Sequence, residues 1–287
     1  MSRKPPFKRI VLGMHHGAPD DDTLRTVAEL AELMHMPLLG LYAEDPVLVS
    51  LASLPFIREF RALGGGWHRL DVEQLSHEVR LAGERLEHRF ARTVKNVPID
   101  SSFRIVRGST SKMIAAFSEA GDIFVVTEPA NPADRMTHQA AVLIEAAFRS
   151  DAAVLLLPHR LARRRGAIVA IATEADDPAV RAAAGIAAAI GEKLVLVESD
   201  QAARHQSVLS DRAVADLEVE RLAPKSMRLI DATAICSSLS HVAERLVVMT
   251  RGAFDDAVPA MVASIRHIPV LVAEPADRSQ NAEVPAS

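Results

Sequence analysis

One order of short aliphatic runs and longer amphipathic patterns is written twice along this chain, and that repetition limits the folds open to it more than any other feature. In the first pass a run at residues 9–13 (RIVLG) is followed by Asp20, Asp21 and Asp22, acids that suit the positive end of a helix. Leu24, Val27, Ala28, Ala31 and Met34 then recur at spacings of three and four, which predicts a helix with one apolar face that Pro37 stops. Further runs lie at 37–42, 102–107, 122–127 and 153–157, with helical patterns at 111–120 and 136–149 between the later ones. The second pass places runs at 167–172, 193–198, 217–222, 245–250 and 269–273. Its helical patterns fall at 179–190, opened by Asp177-Pro178, and at 226–237 and 256–267. Strands alternating with helices predict an α/β chain whose sheet is mainly parallel.

The 287 residues suit two domains, and the repeat says where they fall. The first unit is expected at 1–158, the second at 166–276, and a polar tail at 277–287. The stretch PHRLARRRG at 158–166 is read as the connection, a soluble linker carrying Arg160, Arg163, Arg164 and Arg165. Within the first unit a long insertion spans 44–100. It comprises an apolar piece at 46–63, the three glycines 64–66 read as a hinge, and a charged helical pattern at about 71–95 read as a solvated face.

With 33 Lys and Arg against 37 Asp and Glu, the net charge of −4 argues against a general nucleic-acid binder. Aromatic residues make up only 4%, leaving little material for base-stacking platforms. The one cysteine, Cys236, excludes an intrachain disulfide, and no Cys/His spacing for a structural zinc is present. No apolar run approaches the ~20 residues of a membrane-spanning helix. A cytoplasmic location without a transmembrane segment is the expectation.

The opening KRIVLG, the RIVRGS that enters a short helix, DIFVV, and the matching LVVMTRG and IPVLVAEP of the second pass together resemble the universal stress protein family, in a tandem form with two degenerate copies. The resemblance implies two Rossmann-like units with five-stranded, mainly parallel sheets, related to the adenine nucleotide alpha hydrolase-like fold. It also implies that they pack through their fifth strands as an internal pseudo-dimer. Members that bind ATP typically carry an Asp at the end of strand one and a Gly-x2-Gly-x9-Gly-Ser/Thr loop after strand four. Here the first copy has Thr127-Glu128-Pro129-Ala130-Asn131-Pro132 at that loop. Two prolines there lack N–H donors, and Glu128 puts a negative charge where phosphate would sit. The second copy keeps Gly252 behind Arg251, but Met249 replaces the first glycine and Ala263-Ser264 stands out of register.

These residues give two readings of function. The first is a non-enzymatic regulatory or adaptor protein that binds a protein partner or small ligand, uses no cofactor or metal, and has no catalytic residues. Its ligand candidates at the strand ends are His15, Glu44, Gly108, Ser109 and Glu128 in the first unit. Its partner candidates are Leu48, Leu51, Phe56, Ile57 and Phe60 in the apolar piece. The alternative is an adenine-nucleotide sensor that holds ATP in the second unit around Thr173, Glu174, Arg251, Gly252 and Ser264. A homodimer of such chains is compatible with both. Cys236, with no basic residue beside it in sequence, is expected to be a structural thiol.

Overall fold

A computed structural model of the chain describes residues 7–14, 20–44, 46, 50, 53–54, 56–61, 66–69, 71–128, 138–174, 176–198, 217–222 and 231–274. In chain order the first half holds β1 (Arg9–Met14), α1 (Asp21–Leu33), β2 (Leu38–Glu44), β3 (Arg58–Arg61), β4 (Gly66–Arg69) and α2 (Val72–Val94). It continues with β5 (Ser101–Arg107), α3 (Thr110–Phe117), β6 (Asp122–Thr127), α4 (His138–Phe148) and β7 (Ala153–Leu157). The second half holds β8 (Ala167–Ala172), α5 (Pro178–Ile190), β9 (Leu194–Glu198), β10 (Val219–Leu222), α6 (Ala232–Ser238), β11 (Glu244–Thr250), α7 (Ala257–Arg266) and β12 (Val270–Ala273).

Ten of these strands form one sheet, in the order β10-β9-β8-β11-β12-β7-β6-β1-β2-β5. Each half therefore carries the same order in this sheet, with its first strand at the centre, and every pairing of this sheet inside a half is parallel. The halves meet at their fifth strands: β12 pairs β7 antiparallel, with Leu271 opposite Leu155. This is the α/β architecture and fifth-strand junction that the sequence leads one to expect. The inner strands are buried along their whole length, as β6, β7, β8, β9 and β12 show, because helices cover both faces.

Local chemistry sets the helix ends. Asp20, Asp71 and Asp177 each accept backbone N–H bonds at the start of α1, α2 and α5, and Pro178 fills the first position of α5, where no N–H is needed. Two apolar layers sandwich the sheet. On one face Leu24, Val27 and Ala31 of α1, Leu86 and Phe90 of α2 and the alanines of α5 pack on alternate strand residues. On the other, Met113 and Ile114 of α3, Leu143 of α4, Ile235 of α6 and Val262 of α7 do the same. Both layers run through both halves, so the core is shared across the junction. At ~1.5–3 kcal/mol per buried aliphatic side chain, that shared burial holds the halves together.

The structure changes two sequence readings. The insertion contains a two-stranded antiparallel ribbon, with Phe60 opposite Trp67 and Arg58 opposite Arg69, which the sequence did not announce. Gly66, the last of the three glycines, belongs to β4 and so departs from the hinge reading, while Gly64 and Gly65 lie outside the described residues. The basic connection is also pinned: Arg164 meets Glu29 at 2.7 Å, Arg163 lies 3.6 Å from the fully buried Glu244, and Ala162 N–H donates to the His267 carbonyl. Gly166 closes it at φ +135°, and a Cβ there would sit 2.2 Å from the Ala243 carbonyl oxygen, so only glycine fits.

Candidate functional site

In open parallel sheets ligands meet the carboxyl ends of the strands, where the flanking loops diverge. At that rim of the first half, the Glu128 N–H donates to the Leu157 carbonyl, and its Oε2 accepts the His159 N–H at 3.2 Å. His159 Nδ1 lies 3.6 Å from Asp20 Oδ2. Burial tends to raise the Asp20 carboxyl, but hydrogen bonds from Thr23 and the neighbouring His159 and Arg89 outweigh it and hold the group below its ordinary value. Glu44 sits further along the rim, 3.3 Å from Arg107, and its carbonyl accepts the Gly108 N–H. Glu44 and Arg107 border a groove of about 570 Å³ together with His77 and Arg80. Ser109 is the N-cap residue of α3. His15, Leu48 and Leu51 lie outside the described residues. Phe56 is 71% exposed, Ile57 is half-buried, and Phe60 lies in β3.

The second half is built differently at the equivalent place. Asp177, 1% exposed, draws the ends of two strands onto the start of α5. Its carboxylate accepts the N–H and hydroxyl of Thr173, the Ala179 N–H, and the hydroxyl of Thr250. The protein's own carboxylate thereby occupies the anion-favouring start of that helix. The Arg251 N–H donates to the Ala273 carbonyl, the counterpart of the bond from Glu128 to Leu157. The Arg251 guanidinium turns toward the first half, where it donates to the carbonyls of Ser150 and Ala152. Burial lowers its pKa. Gly252 follows at φ +77°, with open space where a Cβ would stand. Glu174 lies just past the end of β8.

Ser264 is placed apart from the rim residues with which the sequence grouped it. It lies on α7 and lines a cavity of about 360 Å³, whose floor is the ends of β6 and β7 and whose sides are α4 and α7. Glu128 lines the same cavity, so one candidate from each half meets there. Leu143, Ile144, Leu156, Ala260 and Met261 make most of its wall. Sequence reasoning missed Asp177 and His159 as organising residues. Asp177-Pro178 announced a helix start, but nothing in the chain order announced that its carboxylate would reach Thr250.

At the opposite end of the strands each half buries an ion pair. Arg9 donates to Asp122 through Nε and Nη2, the latter at 2.8 Å, and Arg266 donates to Glu244 at 2.7 Å. Arg9 also reaches the Phe117 carbonyl and Arg266 the Leu239 carbonyl. The two pairs tie β6 and β11 to their preceding helical segments. Burial pushes the Cys236 thiol up, against the nearby Arg266, which reduces its thiolate content at neutral pH. Among the described residues no group of three His, Cys, Asp or Glu side chains could hold a metal ion. No helix among them is long and apolar enough to cross a membrane.

A parallel sheet of two like halves, with helices on both faces and its loops at the strand ends, defines a Rossmann-like α/β protein. The solved structures it resembles include universal stress proteins. One from Archaeoglobus fulgidus superposes with a TM-score of 0.65 at 13% identity, over 96% of this chain and 99% of that one, so the shared fold runs through both halves of the sheet. A candidate universal stress protein from Pseudomonas aeruginosa matches at 14% identity and a TM-score of 0.48, covering 94% of each chain. No family model matches the sequence. No curated protein matches it either.

Proposed function

We propose that this protein is a universal-stress-type regulatory or adaptor protein that acts by binding, without catalysis and without a bound nucleotide. The observation that carries the reading is the commitment of Arg251. This arginine is the one cation of the second-half candidate set, and it gives two guanidinium nitrogens to carbonyls of the other half. Asp177 at the start of α5 and Glu128 at the first-half rim add negative charge at the two places an anion would approach. The exposed Phe56 and Trp67 of the insertion support a partner-docking role for that segment.

One observation favours a second reading, in which the C-terminal half binds an adenine nucleotide. Gly252 has a left-handed backbone with open space beside it, a place where phosphate oxygens could approach N–H groups. Thermal unfolding of ligand-free protein with and without millimolar MgATP separates the two. A ligand at a hundredfold excess over its Kd stabilises the native state by about 2.7 kcal/mol, which is several degrees in Tm. The binding-only reading expects no shift. A shift of several degrees that Gly252→Asp abolishes would overturn it and establish the nucleotide sensor.

A further inference from the structure

We propose that the narrow apolar slot between α1 and α5, beneath the basic connection, binds a short-chain carboxylate, with the tail in the slot and the carboxylate on Arg245. Arg251 and Gly252 do not line this slot, so the outcome of the nucleotide experiment leaves the proposal standing in either case.

The floor of the slot is the sheet where the halves join, with Ile10 and Leu155 from the first half and Ile168 and Leu271 from the second. Leu30 of α1 and Ile186 of α5 stand on its sides. Its volume is about 50 Å³, and because about 10–15 Å³ of such space holds one water, it takes about three to five groups of that size. Water is a poor filler, since each molecule needs two to four polar partners. Thr26, the one uncharged polar side chain among the described residues of the wall, already donates its hydroxyl to the Asp22 carbonyl. An alkyl tail of three or four carbons fits the space and gains by burial there.

Charge decides what the ligand's polar end must be. Among the described residues of the wall, Arg163, Arg164 and Arg245 face a single carboxylate, Glu29. Arg164 takes that carboxylate at 2.7 Å, and Arg163 stands 3.6 Å from Glu244, which Arg266 already holds at 2.7 Å. Arg245 is held more loosely. Its side chain is only 17% exposed, and among the described residues its one ion pair is Glu192 at 3.9 Å and it makes no hydrogen bond. A guanidinium with five N–H donors therefore borders an apolar space with its donors unused. Burial lowers its pKa, Glu192 and Glu29 act against that, and Arg165 adds to it. A desolvated guanidinium in this position favours an anion over a neutral or cationic group, and its planar fork matches a carboxylate with two parallel bonds. The floor comes from both halves, so the site exists only where the two halves meet.

The test is a methyl NMR titration of the full chain at pH 7.5 and constant ionic strength with pentanoate, acetate and pentylamine. Pentanoate is expected to shift the methyl signals of Ile10, Ile168 and Ile186 with a millimolar Kd. Acetate, which lacks the tail, should bind at least about tenfold more weakly, and pentylamine should shift none of these signals. Arg245→Gln should weaken pentanoate binding at least about tenfold. Glu192→Gln removes the carboxylate that competes for Arg245 and should tighten pentanoate binding about threefold or more, a gain that no loss of folding can produce. If Arg245→Gln unfolds, Glu192→Gln decides alone. The proposal is overturned if pentanoate at tens of millimolar shifts none of the three methyl signals, if acetate or pentylamine binds as tightly as pentanoate, or if a folded Arg245→Gln or Glu192→Gln variant binds pentanoate as the wild type does.

Discussion

Replacing Arg251 by methionine removes the guanidinium and keeps an unbranched stem in its place, so the substitution removes the bonds to Ser150 and Ala152 together with the weaker 4.0 Å ion pair to Glu274. Hydrogen bonds from a charged donor contribute about 1.5–3 kcal/mol each, which sets an upper bound of about 3–6 kcal/mol for the pair. Two effects reduce it. Burial disfavours the guanidinium itself, as the direction of its pKa change indicates, and methionine escapes that cost. Water also reaches part of the site, since the Arg251 side chain is 17% exposed, and can replace some of the lost bonding. The carbonyls lie in a segment where Ala152 is fully buried, however, so the replacement is incomplete. The expected loss is about 2–4 kcal/mol, or about 5–15 °C in Tm at about 2–4 °C per kcal/mol for a chain of this size. Arg251→Lys should recover less than half, because one ammonium cannot reproduce a planar fork across two carbonyls. Urea unfolding followed by far-ultraviolet circular dichroism measures both. A methionine variant within about 0.5 kcal/mol of wild type, the range of an ordinary surface substitution, would refute the structural role of Arg251 and return it to the pool of ligand-binding candidates.

Arg266→Met should cost about 3–5 kcal/mol in the same assay by leaving Glu244, fully buried, without its 2.7 Å partner, whereas Arg266→Met combined with Glu244→Leu should recover most of the loss. A double variant as unstable as the single one would show that the pair contributes something beyond mutual neutralisation. Asp20→Asn keeps an N-cap acceptor for Thr23 and removes only the charge. Because the folded protein holds this carboxyl below its ordinary value of 3.8, its charge stabilises the fold above that pH, and the contribution disappears as pH falls below it toward the folded value. The wild type should therefore show a higher urea midpoint than Asp20→Asn at pH 7 and a converging one near pH 3; a gap that persists at pH 3 would assign the effect to the cap instead of the charge.

What the sequence made legible is what depends on periodicity and local chemistry. Aliphatic runs such as 122–127 and 167–172 coincide with β6 and β8, because strands buried on both faces leave an uninterrupted apolar signature. Asp177-Pro178 and Asp20 mark helix starts because capping is settled within three residues. The ribbon of β3 and β4 escaped notice because each strand has only four residues, too few for alternation to stand out, and its glycines read equally well as a hinge. The arginines of the connection read as solvated because their partners are remote. Arg164 meets Glu29 from 135 positions away, and no local rule reports such a pair. The cavity is illegible for the same reason, since its wall comes from both halves and its existence depends on how α4 and α7 sit over β6 and β7.

The two halves also show how a repeated backbone can carry opposite chemistry. In each, the fourth strand ends in threonine, and the next residue's N–H donates to the carbonyl that closes or follows the fifth strand: Glu128 to Leu157, Arg251 to Ala273. The main-chain bond is indifferent to the side chain attached to it, so this position is free to diverge in charge without disturbing the sheet. In the second half the cation turns inward and fastens the junction through Ser150 and Ala152, which removes it from the rim. In the first half the anion lines the cavity that the same junction creates. The strand pairing that unites the halves therefore uses one copy of the position to hold the joint and leaves the other beside the space the joint encloses.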